Sequence, residues 1–355
     1  MELQDLIIPF YIGAASFHYP GANSTLAGKS GNLSLIGEGG PEHWLQLEKM
    51  YEDFHPPLET KFEDEVEKYW GRKWGAPTEI GQLRMVLLHR PGQEIESIAP
   101  PLERWRYTWK PDLGEMIRDH EHLVQLFKDE NVEVIIREPE ARNNPRLVKS
   151  IYCRDPSFAV KGGMIVGRMY DALRRGEEPY TALTYARLGC PISRTINGNG
   201  VIEGGGVTYL DETHVCITTG YRTNEEGARQ ATEVMKASGV EEVIIVPMYE
   251  GHEPIYMVDK HTAIRNRPIP WFFLEYLKKK LGFTLLDGRE SGARASIALK
   301  PGRVMIAEDA RARRFLESNG IDVIEAKIPT LVHPMNSGSI HCLTMPIVRD
   351  PEPES

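Results

Sequence analysis

From about residue 80 the chain alternates short apolar runs with amphipathic stretches, and the order repeats. The run LRMVLLHR is followed by Leu113, Met116, Ile117, Leu123, Val124 and Phe127. Their 3.6-residue spacing predicts a helix over about residues 112–130, and the apolar run NVEVII then predicts a strand. A second unit opens on FAVKGGMIVGRM, a hairpin turning at Gly162-Gly163. It continues into a helix over about residues 177–188 and the strand PISRTI. In the third unit VTYLDETHVCIT predicts a hairpin, TNEEGARQATEVMKAS a helix and GVEEVIIVPM a strand. Thr223 with Glu226 predicts a capping box at that helix's start. The fourth unit reads IYMVDKHTAIRN, then PWFFLEYLKKKLG with Pro270 near the first helical turn, then FTLLD. The fifth reads IALKPGRVMIAED, ARARRFLESNG and IDVIEA.

Five ββαβ units recurring every ~40–60 residues predict an α/β fold closed into a pseudo-symmetric ring, not an open Rossmann sheet. The first unit is the least regular. In such a ring, loops from different units meet around a central channel, so residues distant in sequence can share one site. Residues 1–75 differ: GANSTLAGKSGNLSLIGEGG is loop-like, and a charged, aromatic stretch interrupted by Pro56 and Pro57 follows. They are expected to form an N-terminal extension (a lid, interface arm or packing appendage), leaving 76–355 as the catalytic body.

Composition narrows the function. The 355 residues carry a formal net charge of -9, which argues against a general nucleic-acid binder and suits a small cationic substrate. Cys153, Cys190, Cys216 and Cys342 are widely spaced with no CxxC pair, so reduced thiols in the cytoplasm are expected, with no disulfide framework or zinc site. The N-terminal stretch carries Glu2 and Asp5 where a signal peptide needs positive charge, and its apolar run is too short to span a bilayer. A soluble protein with no membrane partner is expected.

Four short polar segments bounded by small residues carry candidate chemistry. YCRDPS contributes Asp155, NGVIEGGGVTYL contributes Glu203, MYEGHEPIY contributes His252 and SGSIHCLTMPIVRD contributes Cys342. Singly these are a turn carboxylate, a glycine bulge, a loop histidine and a core thiol. Together they describe a site for an amidine-like cation. Two carboxylates hold a planar guanidinium through charge-assisted hydrogen bonds. Its carbon then faces a thiol, which the cation itself helps to ionise. The histidine protonates the departing nitrogen and then activates the acceptor.

From about residue 80 to its end the sequence resembles the arginine deiminase family of the guanidino-group modifying superfamily, which also contains amidinotransferases and dimethylarginine hydrolases. HCLTMPIVRDP (341–351) resembles the family's nucleophile segment, and RDP (154–156) and EGG (203–205) resemble its carboxylate motifs. VGRMYDALRRGE and TTGYRTNEEGARQ are similar to stretches whose arginines bind the substrate's α-carboxylate, which implies that role for Arg174 and Arg222. The resemblance implies a five-bladed α/β propeller and a covalent amidino-cysteine intermediate resolved by water, with no metal or cofactor. It casts Cys342 as nucleophile, His252 as acid and base, and Asp155 and Glu203 as guanidinium ligands. Two positions depart from the family pattern. His252-Glu253-Pro254 stands where the family has His-x-Asp, so Glu253 is the candidate replacement ligand. Lys149 stands where deiminases commonly have an asparagine near the substrate's amino-acid end.

The leading expectation is a cysteine-dependent hydrolase that converts arginine or a related guanidino compound, with a carboxylate opposite the guanidine, to a ureido product and ammonia. The alternatives are an amidinotransferase using the same intermediate and a non-catalytic guanidino-binding protein. A homo-oligomer is compatible with either chemistry.

Overall fold

In a computed structural model, the described residues are Lys49 and 60–137, 146–293, 295–332 and 338–353. Most of the expected N-terminal extension lies outside them, as does Ser337 of the nucleophile segment. Helix α1 (Phe62–Trp70) precedes the first blade, and Val66 and Trp74 bury against Met85, Met164 and Ile347. Residues 61–75 therefore pack with the propeller.

The blades follow the repeat. The first holds β1 (Leu83–His89), α2 (Leu113–Asp129) and β2 (Glu133–Arg137). The second holds β3 (Ser157–Val160), β4 (Gly163–Val166), α3 (Glu177–Leu188) and β5 (Ile192–Thr195). The third runs β6 (Val207–Tyr209), β7 (His214–Thr219), α4 (Glu225–Ala237) and β8 (Glu242–Pro247). The fourth runs β9 (Tyr256–Asp259), β10 (Thr262–Arg265), α5 (Trp271–Glu275) and β11 (Thr284–Asp287), and the short α6 (Gly288–Ser291) follows it. The fifth has β12 (Ile297–Lys300), β13 (Arg303–Ala307), α7 (Ala310–Ser318) and β14 (Asp322–Ala326), and the chain ends through α8 (Ile340–Leu343) and β15 (Met345–Arg349).

Each blade of the described chain is a three-stranded sheet whose central strand pairs antiparallel on one side and parallel on the other. The parallel partner comes after the helix, because a parallel crossover needs a long connection. Central strands are buried on both faces, as in the BBBB pattern of β4, which is why they read as unbroken apolar runs. Cores lie between neighbouring blades; one of them joins Leu83, Val86 and Leu88 of the first blade to Ile297, Leu299 and Met305 of the fifth.

The irregular first unit has a physical explanation. Its antiparallel strand is β15, which pairs Val86 with Pro346 and Leu87 with Met345 and so closes the ring with the chain's own end. Pro346 is tolerated because β15 is the sheet's outer strand.

The cap of α4 corrects one expectation. Asn224, not Thr223, is its N-cap, and the Asn224 Oδ1 accepts hydrogen bonds from Gly227 N at 2.8 Å and from Val201 N at 2.9 Å. Glu226 turns to Arg229 and Gln230 instead of completing a capping box. Asn224→Ala is expected to lower stability by about 1 kcal/mol in chemical denaturation, and Thr223→Ala by less.

Candidate active site

The four candidate residues occupy equivalent places in the repeat. Asp155 immediately precedes the segment entering β3, Glu203 that entering β6, His252 that entering β9 and Cys342 that entering β15. Each therefore sits where the antiparallel strand of a blade begins. Main-chain bonds stitch these loops together: Gly204 N donates to Asp155 O at 2.7 Å, and Arg154 N donates to Cys342 O at 3.1 Å.

Close approach explains the glycines of EGGG. A Cβ on Gly204 would lie 2.1 Å from Ser157 O. A Cβ on Gly205 would lie 2.7 Å from Asp155 Oδ1, 3.2 Å from His252 Nδ1 and 3.3 Å from Glu253 Oε1. Gly205 thus leaves open the space on which those three side chains converge. Gly338 plays the same part beside the thiol, where a Cβ would collide with the Tyr152 ring.

Glu203 is fully buried. Its Oε1 accepts from Tyr170 N at 3.1 Å, its Oε2 accepts from Arg222 at 2.8 Å, and His252 Nε2 lies 3.8 Å from that same oxygen. Burial opposes its charge, but His252 and Arg222, with Arg174 behind them, hold the carboxyl down at about 2. The same geometry acts in reverse on His252. Burial opposes the imidazolium, yet Glu203 and Glu253, with the charge of Asp155, push it up to about 10. The ring is therefore protonated at neutral pH.

Asp155 accepts from Arg174 through Oδ2, while its buried Oδ1 has no hydrogen-bond partner among the described residues. His252 Nε2 is likewise buried without one. An unpaired carboxylate oxygen inside a protein is costly, and it marks where an N–H donor belongs.

Cys342 lies in the single turn α8, capped by Ser339, whose Oγ accepts from Cys342 N at 3.3 Å and donates to Sγ at 3.2 Å. Burial, then the charges of Glu253 and Asp155, push the thiol up to about 12. Near pH 8 the sulfur is then held as the thiol, until a cation enters between the carboxylates. Two outcomes follow. Alkylation by neutral iodoacetamide is expected to be slow at pH 7–8 and to rise about tenfold per pH unit. A cationic haloacetamidine is expected to react at least about a hundredfold faster at pH 8, as stopped-time mass spectrometry of Cys342 would show.

The structure places Arg174 differently from the α-carboxylate role that the resemblance implied. It is buried, and its guanidinium forks onto Glu177 with two bonds of 2.8 Å, onto Tyr152 O at 2.8 Å and onto Asp155. Those bonds occupy it and leave it holding Asp155 in place. Arg222 is more open: one terminal nitrogen serves Glu203, and its Nε has no partner among the described residues. Glu253 also departs from the expectation of a guanidinium ligand. Its Oε2 lies 3.3 Å from His252 Nδ1 and its Oε1 2.8 Å from His341 Nδ1. Lys149 is buried, donates to Arg106 O at 2.9 Å and sits 3.5 Å over the Tyr107 ring. Burial, followed by Arg174 and Arg106, pushes it down to about 7.

His341, Glu177 and Tyr152 were not singled out by sequence. The adjacency of His341 to Cys342 was the available signal. Glu177 and Tyr152 gave none, since their partners come through the fold. Asp155, Glu203 and His252 bring one ligating atom each within 4.8 Å of one another, a set that a divalent metal could use. Two of the three are paired with an arginine, Asp155 with Arg174 and Glu203 with Arg222. Cys153, Cys190 and Cys216 are buried free thiols. No helix among the described residues is long and apolar enough to cross a membrane.

Residues 110–265 match the family described as N,N dimethylarginine dimethylhydrolase, eukaryotic. Over 62 residues the chain is 45% identical to an arginine deiminase of Streptococcus equi subsp. zooepidemicus, covering 17% of this chain and 15% of that relative. The chain thus spans well under a fifth of that relative's length in the match. Two solved structures share the fold. Dimethylarginine dimethylaminohydrolase from Pseudomonas aeruginosa in complex with citrulline has a TM-score of 0.61 at 18% identity, covering 74% of this chain and 99% of that one. SxtG, an amidinotransferase from Microseira wollei, has a TM-score of 0.60 at 14% identity, covering 79% and 98%. The five three-stranded blades and these likenesses fit one architecture, the five-bladed α/β propeller.

Proposed function

We propose that the protein is a cysteine-dependent hydrolase of a guanidino compound, converting it to a ureido product and ammonia. The observation that carries this is the convergence of Asp155, Glu203 and His252, which bring polar atoms within 4.8 Å of one another, with Asp155 Oδ1 unpartnered among the described residues. A guanidinium supplies the missing N–H donor to Asp155 Oδ1 and adds a charge-assisted bond to the Glu203 carboxylate, and its positive charge lowers the cost of ionising Cys342. Cys342 gives its proton to solvent as the cation binds, and the thiolate forms a bond to the guanidinium carbon as the C=N π bond opens; that released proton later converts the departing ammonia to ammonium. Ammonia departs as the C–N bond breaks, taking its proton from His252. The neutral imidazole then removes a proton from water, which adds to the amidino carbon. Collapse breaks the C–S bond, returns the thiol and releases the ureido product. Net consumption is one water, and ammonium leaves.

Arg174 acts here by fixing Asp155, and Arg222 is the arginine still open to a carboxylate on the substrate's far end. The test is a panel of L-arginine, agmatine and methylated arginines, each with and without glycine or ornithine as amine acceptor, assayed for ureido product, ammonia and transferred amidino group. Ureido product without an acceptor supports hydrolysis. Product formed only with an acceptor would replace hydrolysis by transfer, and no turnover of any compound would overturn both.

A further inference from the structure

We infer that His341, the residue preceding the nucleophile, is a positioning residue that locks Glu253 onto His252 and so sets the tautomer and charge of the catalytic histidine. This rests on the hydrolase reading for its role in turnover, though not for its geometry.

His341 is buried and packed edge-on against Tyr256, with ring centroids 5.2 Å apart. Arg154 lies 2.6 Å from His341 Nε2 and also pairs with Glu79 at 3.2 Å. Glu79 Oε2 also faces Nε2, but at 3.8 Å it is beyond hydrogen-bond reach; a guanidinium has only donors, so Nε2 accepts from Arg154, and the proton of a neutral His341 sits on Nδ1. Nδ1–H then donates to Glu253 Oε1 at 2.8 Å. Glu253 accordingly remains an anion, with His341 and then His252 holding its carboxyl well below the usual range against the cost of burial.

The other oxygen of Glu253 receives His252 Nδ1, 3.3 Å away. That leaves His252 Nε2–H facing Glu203, one of the two carboxylates that would hold the guanidinium, and so the side from which a leaving nitrogen is protonated. The groups facing His252 are Glu203, Glu253 and Asp155, from three different blades. Arg222 and Arg174 stand behind Glu203 and Asp155. Only Glu253 is held in turn by a second histidine. The carboxylate at the departure from His-x-Asp thus anchors a histidine, and guanidinium binding falls to Asp155 and Glu203.

The imidazole ¹⁵N signals of His252, assigned by their loss in a His252→Asn protein, are followed against pH in wild type, H341F and H341Q. Phenylalanine keeps the packing on Tyr256 and removes both hydrogen bonds. Glutamine can donate to Glu253 and accept from Arg154. His252 is expected to stay doubly protonated through pH 8 in wild type, to titrate at least about one pH unit lower in H341F and to return most of the way in H341Q. If H341F does not fold, H341N, too short to reach Glu253, serves in its place. In turnover the upper limb of the kcat profile moves with this titration, while KM stays within about twofold. A His252 titration unchanged in the His341 variants would overturn the inference. Absence of turnover by wild type would overturn the hydrolase reading alone, because the titration does not depend on turnover.

Discussion

Cys342→Ala is expected to abolish turnover, by about 10⁵-fold or more, with little loss of stability. The covalent step has no other accessible thiol to use: Cys153, although two residues before Asp155, is buried in a core, as are Cys190 and Cys216, whereas Cys342 is partly exposed. The local backbone should survive the change, because α8 is capped by the Ser339 hydroxyl and stitched to the Asp155 loop through Arg154 N and Cys342 O, none of which needs the sulfur. The separation of activity from stability is the diagnostic. A variant with full stability and at least a tenth of wild-type turnover would remove Cys342 from the mechanism. Steady-state assays with thermal melts on the same preparation give both numbers.

Asp155→Asn is expected to cost about a thousandfold in kcat/KM and to destabilise the fold as well. The first effect follows from the charge. Asparagine keeps one acceptor oxygen but cannot balance a guanidinium or the positive charge carried into the transition state. The second follows from Arg174, whose buried guanidinium loses one of its two anionic partners and keeps Glu177 and Tyr152 O. Breaking a buried pair from one side costs about 3 kcal/mol, with Glu177 limiting the damage. Glu177→Gln provides the contrast. It should destabilise to a similar degree but reduce kcat/KM less, since Glu177 reaches the site only through Arg174. Equal losses of activity in the two variants would mean that Asp155 acts through Arg174 and does not touch the substrate.

The repeat was legible because each blade is local in sequence. Apolar periodicity from Leu113 to Phe127 places a helix over about residues 112–130, and the structure has α2 at Leu113–Asp129 with Met116, Leu123 and Phe127 buried, because the helix's period is set by the face it buries. The first blade was harder to read for a non-local reason: β15 arrives from the far end of the chain, and no pattern near β1 announces it. The cap of α4 moved by one residue because Asn224 serves Val201 and Gly227 together, a tertiary demand that a local motif does not encode.

The candidate site was legible in the residues whose neighbours in sequence are distinctive. Glycines beside Glu203 and small residues before Cys342 mark close backbone approach, and the structure gives that approach its atoms. Pairings across blades were not legible. Arg174 resembles a substrate-binding arginine in sequence, and only Asp155 and Glu177, brought together by folding, show where its charge is spent. Glu253 is the same case: next to His252 it looks like a replacement ligand, until His341 appears on its other oxygen. Residues that act through a partner carry no local signature.

The most direct test of the account is intact-mass analysis of the protein quenched in acid during turnover of a guanidino substrate that the panel identifies. The account predicts a transient mass increase equal to the amidino-containing fragment, located on the peptide carrying Cys342 and absent from Cys342→Ala. Sustained turnover with no adduct at any quench time, or an adduct on another residue, would contradict it.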